Sequence, residues 1–236
     1  MSTSSAQCAP TRRGSPSHQS SGTANKLRLL VPSVLRTPAA PHFHVGPHMN
    51  DLLTLAAQVR EHYIKALLGS FAEFKGTYSP SALEVMFELQ RQESLPYRLY
   101  RADMAANVNG EAKLQEVNPS THLSFEPFRL DTGIGLVAAV HPVAWNDVGI
   151  KTDVRLSEGA IEAWAMQWLD MDDHHVQDEN GLQGVIHSIS RDDTGGEGTE
   201  LTIDFGSAPV GALSDLIGVL CKSGVSYITI HSGSLQ

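Results

Sequence analysis

Two adjacent histidines, His174 and His175, stand among five carboxylates in the run WLDMDDHHVQDENG, residues 168–181. Imidazole and carboxylate together can hold a divalent cation through nitrogen and hard oxygen donors, or relay a proton. Asp172, His174 and Asp178 are the candidate ligands of this run. Near neighbours in sequence cannot all aim at one point, and no second cluster supplies the missing donors. The run therefore reads as a solvated loop that binds metal weakly at most. One feature resists that reading. An apolar helical stripe ends near Leu169, so Asp170, Asp172 and Asp173 follow at the negative pole of the helix dipole. Local rules broken in this way gather at working sites.

Other chemical candidates are scattered. His187 shares a strand face with Val185 and Ile189, and His231 one with Val225 and Tyr227. Neighbouring strands would bring the two histidines together, and beside Asp204 they could support acid–base work. Gly206 and Ser207 lie between a strand end and a helix start, a place for an anion or, more simply, for N-capping by Ser207. Cys221 sits on an apolar helix stripe as a structural thiol. His42, His44 and His48 lie among Pro41, Gly46 and Pro47 without acidic or cysteine partners, and a built zinc site needs three or four donors on a scaffold. No nucleophile elbow, zincin helix, phosphate loop or dinucleotide fingerprint is present. No residue is assigned to catalysis and no cofactor is implied.

These residues must be positioned by an α+β fold, with an N-terminal helical pair, hairpins, a mixed sheet and a C-terminal strand–helix–strand crossover. Leu52, Leu55, Val59, Tyr63, Leu67, Phe71 and Phe74 recur at helical spacing over 50–75. A second helix is expected over 80–93, opened by Ser79–Pro80 or by a Ser81/Glu84 capping box, with Leu83, Met86, Phe87 and Leu89 inward. Asn109–Gly110 marks a tight hairpin between two strands. Residues 134–150 lean to strand, with Pro142 at an edge or bulge. A helix over 157–171 places Trp164 and Trp168 on one buried stripe. GVIHSIS and TELTIDF flank the Gly-rich RDDTGGEG as a long hairpin. A helix from Ser207 to Gly224 and the strand VSYITIH complete a crossover with parallel strands.

Charge divides the chain. Residues 1–48 hold Arg12, Arg13, Lys26, Arg28 and Arg36 and no acid, so of the net −9 residues 49–236 carry −14. The first 48 residues have no buriable pattern and read as a dispensable, disordered extension, against the alternatives of a transit peptide or secretory signal. Residues 49–236 read as a single domain, with a candidate sub-boundary at 151–156. No run of about 18 apolar residues argues for a membrane span. Two distant cysteines suit a reducing, cytoplasmic compartment, or an organelle if the extension is a transit peptide. So acidic a body gains no counterion release from nucleic acid and attracts basic proteins. The leading expectation is a non-catalytic protein-binding domain, an inhibitor or immunity-type partner of a basic protein. The rival is a metal-assisted hydrolase using loop 170–178.

Overall fold

The computed structural model describes residues 48–119, 123–172, 174–193, 196 and 198–233. Apart from His48, the N-terminal extension lies outside them, as do Asp173 and the histidines His42 and His44. The first element is helix α1, Met49–Thr77, which buries Leu52, Ala56, Val59, Tyr63, Leu67 and Phe74 along one stripe. The Asp51 carboxylate reaches back to the backbone N–H of His48 at 2.7 Å, placing negative charge at the helix's positive end. His48 thus opens a helix.

The expected second helix is a strand. β1, Ser81–Glu88, pairs antiparallel with β2, Leu99–Val108, in a register running from Ser81↔Ala106 to Glu88↔Leu99. Leu83, Met86, Phe87 and Leu89 fit either period in so short a run, and the partner strand decides. β2 turns at Asn109 (φ 54°) and Gly110 (φ 88°), both left-handed, into β3, Glu111–Gln115. That is the two-residue turn expected of Asn-Gly.

The remaining strands are β4 (Phe128–Asp131), β5 (Val137–Val140), β6 (Val148–Thr152), β7 (Ser188–Asp192), β8 (Glu200–Asp204) and β9 (Tyr227–His231). Helix α2 spans Glu162–Leu169 and α3 spans Val210–Lys222. One mixed sheet runs β1-β2-β7-β8-β6-β9-β5-β4, with β3 also on β2. The β7–β8 hairpin forms as expected. β8, α3 and β9 make the crossover, and the two strands are parallel because β6 lies between them, antiparallel to both. Among the described residues no helix is long and apolar enough to cross a membrane.

α1 and α3 close over the sheet where Leu52, Ala56 and Val59 meet Leu213, Val148 and Ile230. Of the two helical tryptophans only Trp164 is core: it is 4% exposed and its Nε1–H donates to the Ala212 carbonyl at 2.9 Å. Trp168 is half-buried, packed edge-on against His175 with 6.4 Å between ring centroids. Helix α2 is only eight residues long, so its second tryptophan falls at the rim of the stripe.

Candidate functional site

The chemistry gathers around His187, which lies just before β7 with no exposed side-chain surface. Its Nε2 is 2.8 Å from Glu84 Oε1. On the other side of the ring, Nδ1 is 2.8 Å from Asp103 Oδ1 and 4.0 Å from Asp204 Oδ1. The Asp103 contact is an ion-pair approach outside hydrogen-bond angles, and Nδ1 has no hydrogen-bond partner among the described residues. Glu84 and Asp103 are sealed from solvent, while 19% of the Asp204 side chain is exposed.

Each carboxylate is held by backbone geometry. Glu84 adopts a left-handed conformation (φ 52°) in mid-strand, a costly one for a side chain of its size, and there its carboxylate meets both His187 and the Gln183 N–H at 2.5 Å. Asp103 accepts from the Tyr63 hydroxyl of α1 at 2.6 Å and from the Val117 N–H at 2.5 Å. Asp204 ends β8 and accepts from the Gly206 N–H at 2.8 Å. Gly206 (φ 47°) lies under the imidazole, and a Cβ there would stand 2.2 Å from His187 Cδ2.

The group's titration follows from this enclosure. Burial alone would lower the His187 pKa, but Asp103 against Nδ1 and the charges of Asp204 and Glu84 outweigh it and hold the pKa well above the usual range. Burial pushes the Asp204 carboxyl up to about 7, the imidazole charge opposing and Asp103 adding to the rise. Burial would raise Glu84 too, yet hydrogen bonds from His187, Gln183 and Ser207 bring it below the usual value. Burial first, then Asp204 and Asp103, raise the Tyr63 hydroxyl well above its usual range. The ensemble can hold a proton or a cation.

Of the acid–base and metal candidates read from the sequence, only His187 and Asp204 meet. His231 on β9 is kept from His187 by the two strands β8 and β6 that lie between β7 and β9, and it pairs instead with Glu200 at 3.3 Å. Asp172, His174 and Asp178 do not converge: among the described residues the one metal-like grouping is Asp103, His187 and Asp204. Asp178 turns inward on its own loop, accepting from the N–H groups of Asn180 and Leu182. Ser207 is not the cap of α3, which is Pro209; its hydroxyl accepts from Gly184 and Val185. The backbone around Gly206 and Ser207 is already engaged, since Arg60 takes the Ser207 and Ala208 carbonyls and the Gly206 N–H goes to Asp204. Cys221 Sγ lies 3.0 Å from the Ile134 carbonyl, in keeping with a structural role.

The acidic end of α2 has its own explanation. Asp170 caps the helix in a left-handed conformation (φ 51°), and its carboxylate accepts from the His174 and His175 N–H groups, each at 2.9 Å. The cation that answers the helix dipole is distant in sequence: buried Arg101 donates to the Leu169 and Asp170 carbonyls. Burial opposes the ionised form of Asp170, but the two N–H groups and the positive charges nearby hold its pKa below the usual value. A depressed carboxyl pKa stabilises fully above the unfolded value, near 4, and that contribution disappears as pH falls through the folded value. Asp170→Asn should therefore cost about 1–2 kcal/mol at pH 7 and much less at pH 3. Urea melts at both pH values check this; an equal deficit at the two would refute it.

Glu84, Asp103, Tyr63 and Arg101 had no site role in the sequence, where Glu84 stood as a helix-capping acid and Tyr63 as an inward position of the first helix. Their signal is charge inside apolar strands: Glu84 between Leu83 and Val85, and Arg101 and Asp103 among Leu99, Ala102 and Met104. Fully buried charges are rare unless paired. No family model, no curated protein and no solved structure matches this chain, so its functional reading rests on the geometry above.

Proposed function

We propose that the protein works by binding another protein, through a basic, extended segment that adds to the β1 edge of the sheet. The observation that carries this is the apolar groove of about 330 Å³ that opens on the face of β1, β2 and β3 and reaches the β1 edge through Pro80, Ala82, Val85 and Phe87, with Ala105 and Ala112 across it. β1 has β2 as its one strand neighbour among the described residues. Edge strands accept an added strand through backbone bonds, and alternate side chains of the guest fill such a groove. The net charge of −14 on residues 49–236 selects a cationic guest by long-range attraction. The sealed state of Glu84, Asp103 and His187 suits this role, since binding a protein at β1 needs no reactive side chain.

The test is fluorescence anisotropy of labelled peptides that alternate Lys or Arg with Val or Leu, against sequences in which Glu replaces the basic residues. The basic peptides should bind, more weakly as salt rises. Val85→Lys should reduce their affinity at least tenfold with the fold intact. Binding that survives Val85→Lys, or equal binding of the acidic peptides, would refute the proposal.

A further inference from the structure

We propose that Asp103, His187 and Asp204 form a site for one divalent cation that accepts imidazole and carboxylate together, zinc being the probe. Three independent features meet there. The ligand atoms of these residues all lie within 4.8 Å of one another. The second imidazole nitrogen is committed to a carboxylate, Glu84, at 2.8 Å. The first, Nδ1, is sealed from solvent and without a hydrogen bond among the described residues, facing two carboxylates.

Histidine ligands to metals habitually give their other N–H to a carboxylate, which fixes the tautomer and raises the basicity of the coordinating nitrogen. Glu84 occupies that position. With Nε2–H directed at Glu84 and Nδ1 relieved of its proton, the ring nitrogen confronts the Asp103 and Asp204 carboxylates without a hydrogen bond. Such a set is repulsive in a poorly solvated interior unless a cation stands in the gap. A proton on Nδ1 would answer one oxygen along a straight line, but the Asp103 contact is not so aligned. A metal ion answers all three at once.

The dimensions agree. At zinc bond lengths near 2.0–2.1 Å, tetrahedral ligands stand about 3.3 Å apart. The separations of 2.8 and 4.0 Å from Nδ1 to the two carboxylates bracket that value. Outer partners are already in place: Tyr63 and the Val117 N–H orient Asp103, and the Gly206 N–H orients Asp204. Asp204, the one partly exposed member, gives the ion its way in. One imidazole with two carboxylates suits zinc or manganese better than the all-oxygen preference of calcium or magnesium. The ion would tie β2, β7 and β8 to α1, a role separate from partner binding at β1.

The experiment uses the full chain, stripped with a chelator and titrated with Zn²⁺ by calorimetry. One ion per chain is expected, with a raised melting temperature. Asp204→Asn, which keeps an acceptor for the Gly206 N–H, should lower affinity at least tenfold. His174→Ala/His175→Ala, which removes the exposed pair, should leave it unchanged. A readout that needs no variant is ¹⁵N NMR of the histidine rings, where Zn²⁺ should shift the Nδ1 resonance of the solvent-protected ring. Absence of stoichiometric binding, an unmoved Nδ1 resonance, or binding kept by Asp204→Asn but lost with His174 and His175 would each overturn the site. None of these outcomes bears on peptide binding at β1.

Discussion

Arg101→Met should destabilise the protein by about 3–5 kcal/mol, enough to remove much of a typical domain's stability. The guanidinium is 1% exposed and donates to the Leu169 carbonyl at 2.8 and 3.1 Å, the Asp170 carbonyl at 2.9 Å, the Glu84 carbonyl at 2.9 Å and Gln183 Oε1 at 2.5 Å. Methionine restores the volume but none of the donors, and each buried acceptor left alone costs about 1–3 kcal/mol. It also strips the α2 terminus of its compensating charge, beside the ionised Asp170. Arg101→Lys should recover part of the loss, since one ammonium cannot span acceptors on three chain segments. Urea unfolding with an unchanged slope is the measurement. A methionine variant within about 1 kcal/mol of wild type would show that the acceptors find water or other donors.

The second large effect is expected at a glycine. Gly206→Ala places a Cβ 2.2 Å from His187 Cδ2 and 2.4 Å from Nε2, at a backbone φ of 47°. Relief requires the imidazole to move, and it is held by Glu84 with no exposed surface. Left-handed strain of about 1–2 kcal/mol and overpacking of about 1–3 kcal/mol add to roughly 2–5 kcal/mol. Gly110→Ala separates the two terms: its φ is 88° and nothing lies within 4 Å of the added carbon, so only the backbone strain remains. Thermal melts of the pair should rank Gly206→Ala well below Gly110→Ala. Equal losses would mean that the imidazole yields freely.

Elements set by local rules were legible in the sequence. The helical spacing of α1, the Asn109–Gly110 turn, the polar hairpin loop before β8 and the helix before β9 each depend on residues within one turn or one strand. β1 was not, because its apolar positions fit two periods and β2 supplies the deciding bonds. The site was legible only in fragments. His187 and Asp204 read as strand residues, but Glu84 read as a helix-capping acid and Asp103 carried no signal beyond its setting. These residues are joined by the fold, and no spacing along the chain connects them. The DMDDHH run drew notice by density of charge, and its puzzle was resolved by an arginine on β2, far away in sequence.

The place of β6 and β9 in the sheet has a consequence for biosynthesis. Ile150 on β6 faces Leu201 of β8 on one side and Ile230 of β9 on the other, and Val140 of β5 also waits for Ile230. The middle of the sheet thus joins segments made at very different times, and such long-range pairings bear their loop-closure cost before any contact repays it. A ribosome-bound chain still lacking Tyr227–His231 presents the apolar edges of β5 and β6 to other nascent chains. Sheet closure therefore waits for the synthesis of β9, which enters between strands made long before it.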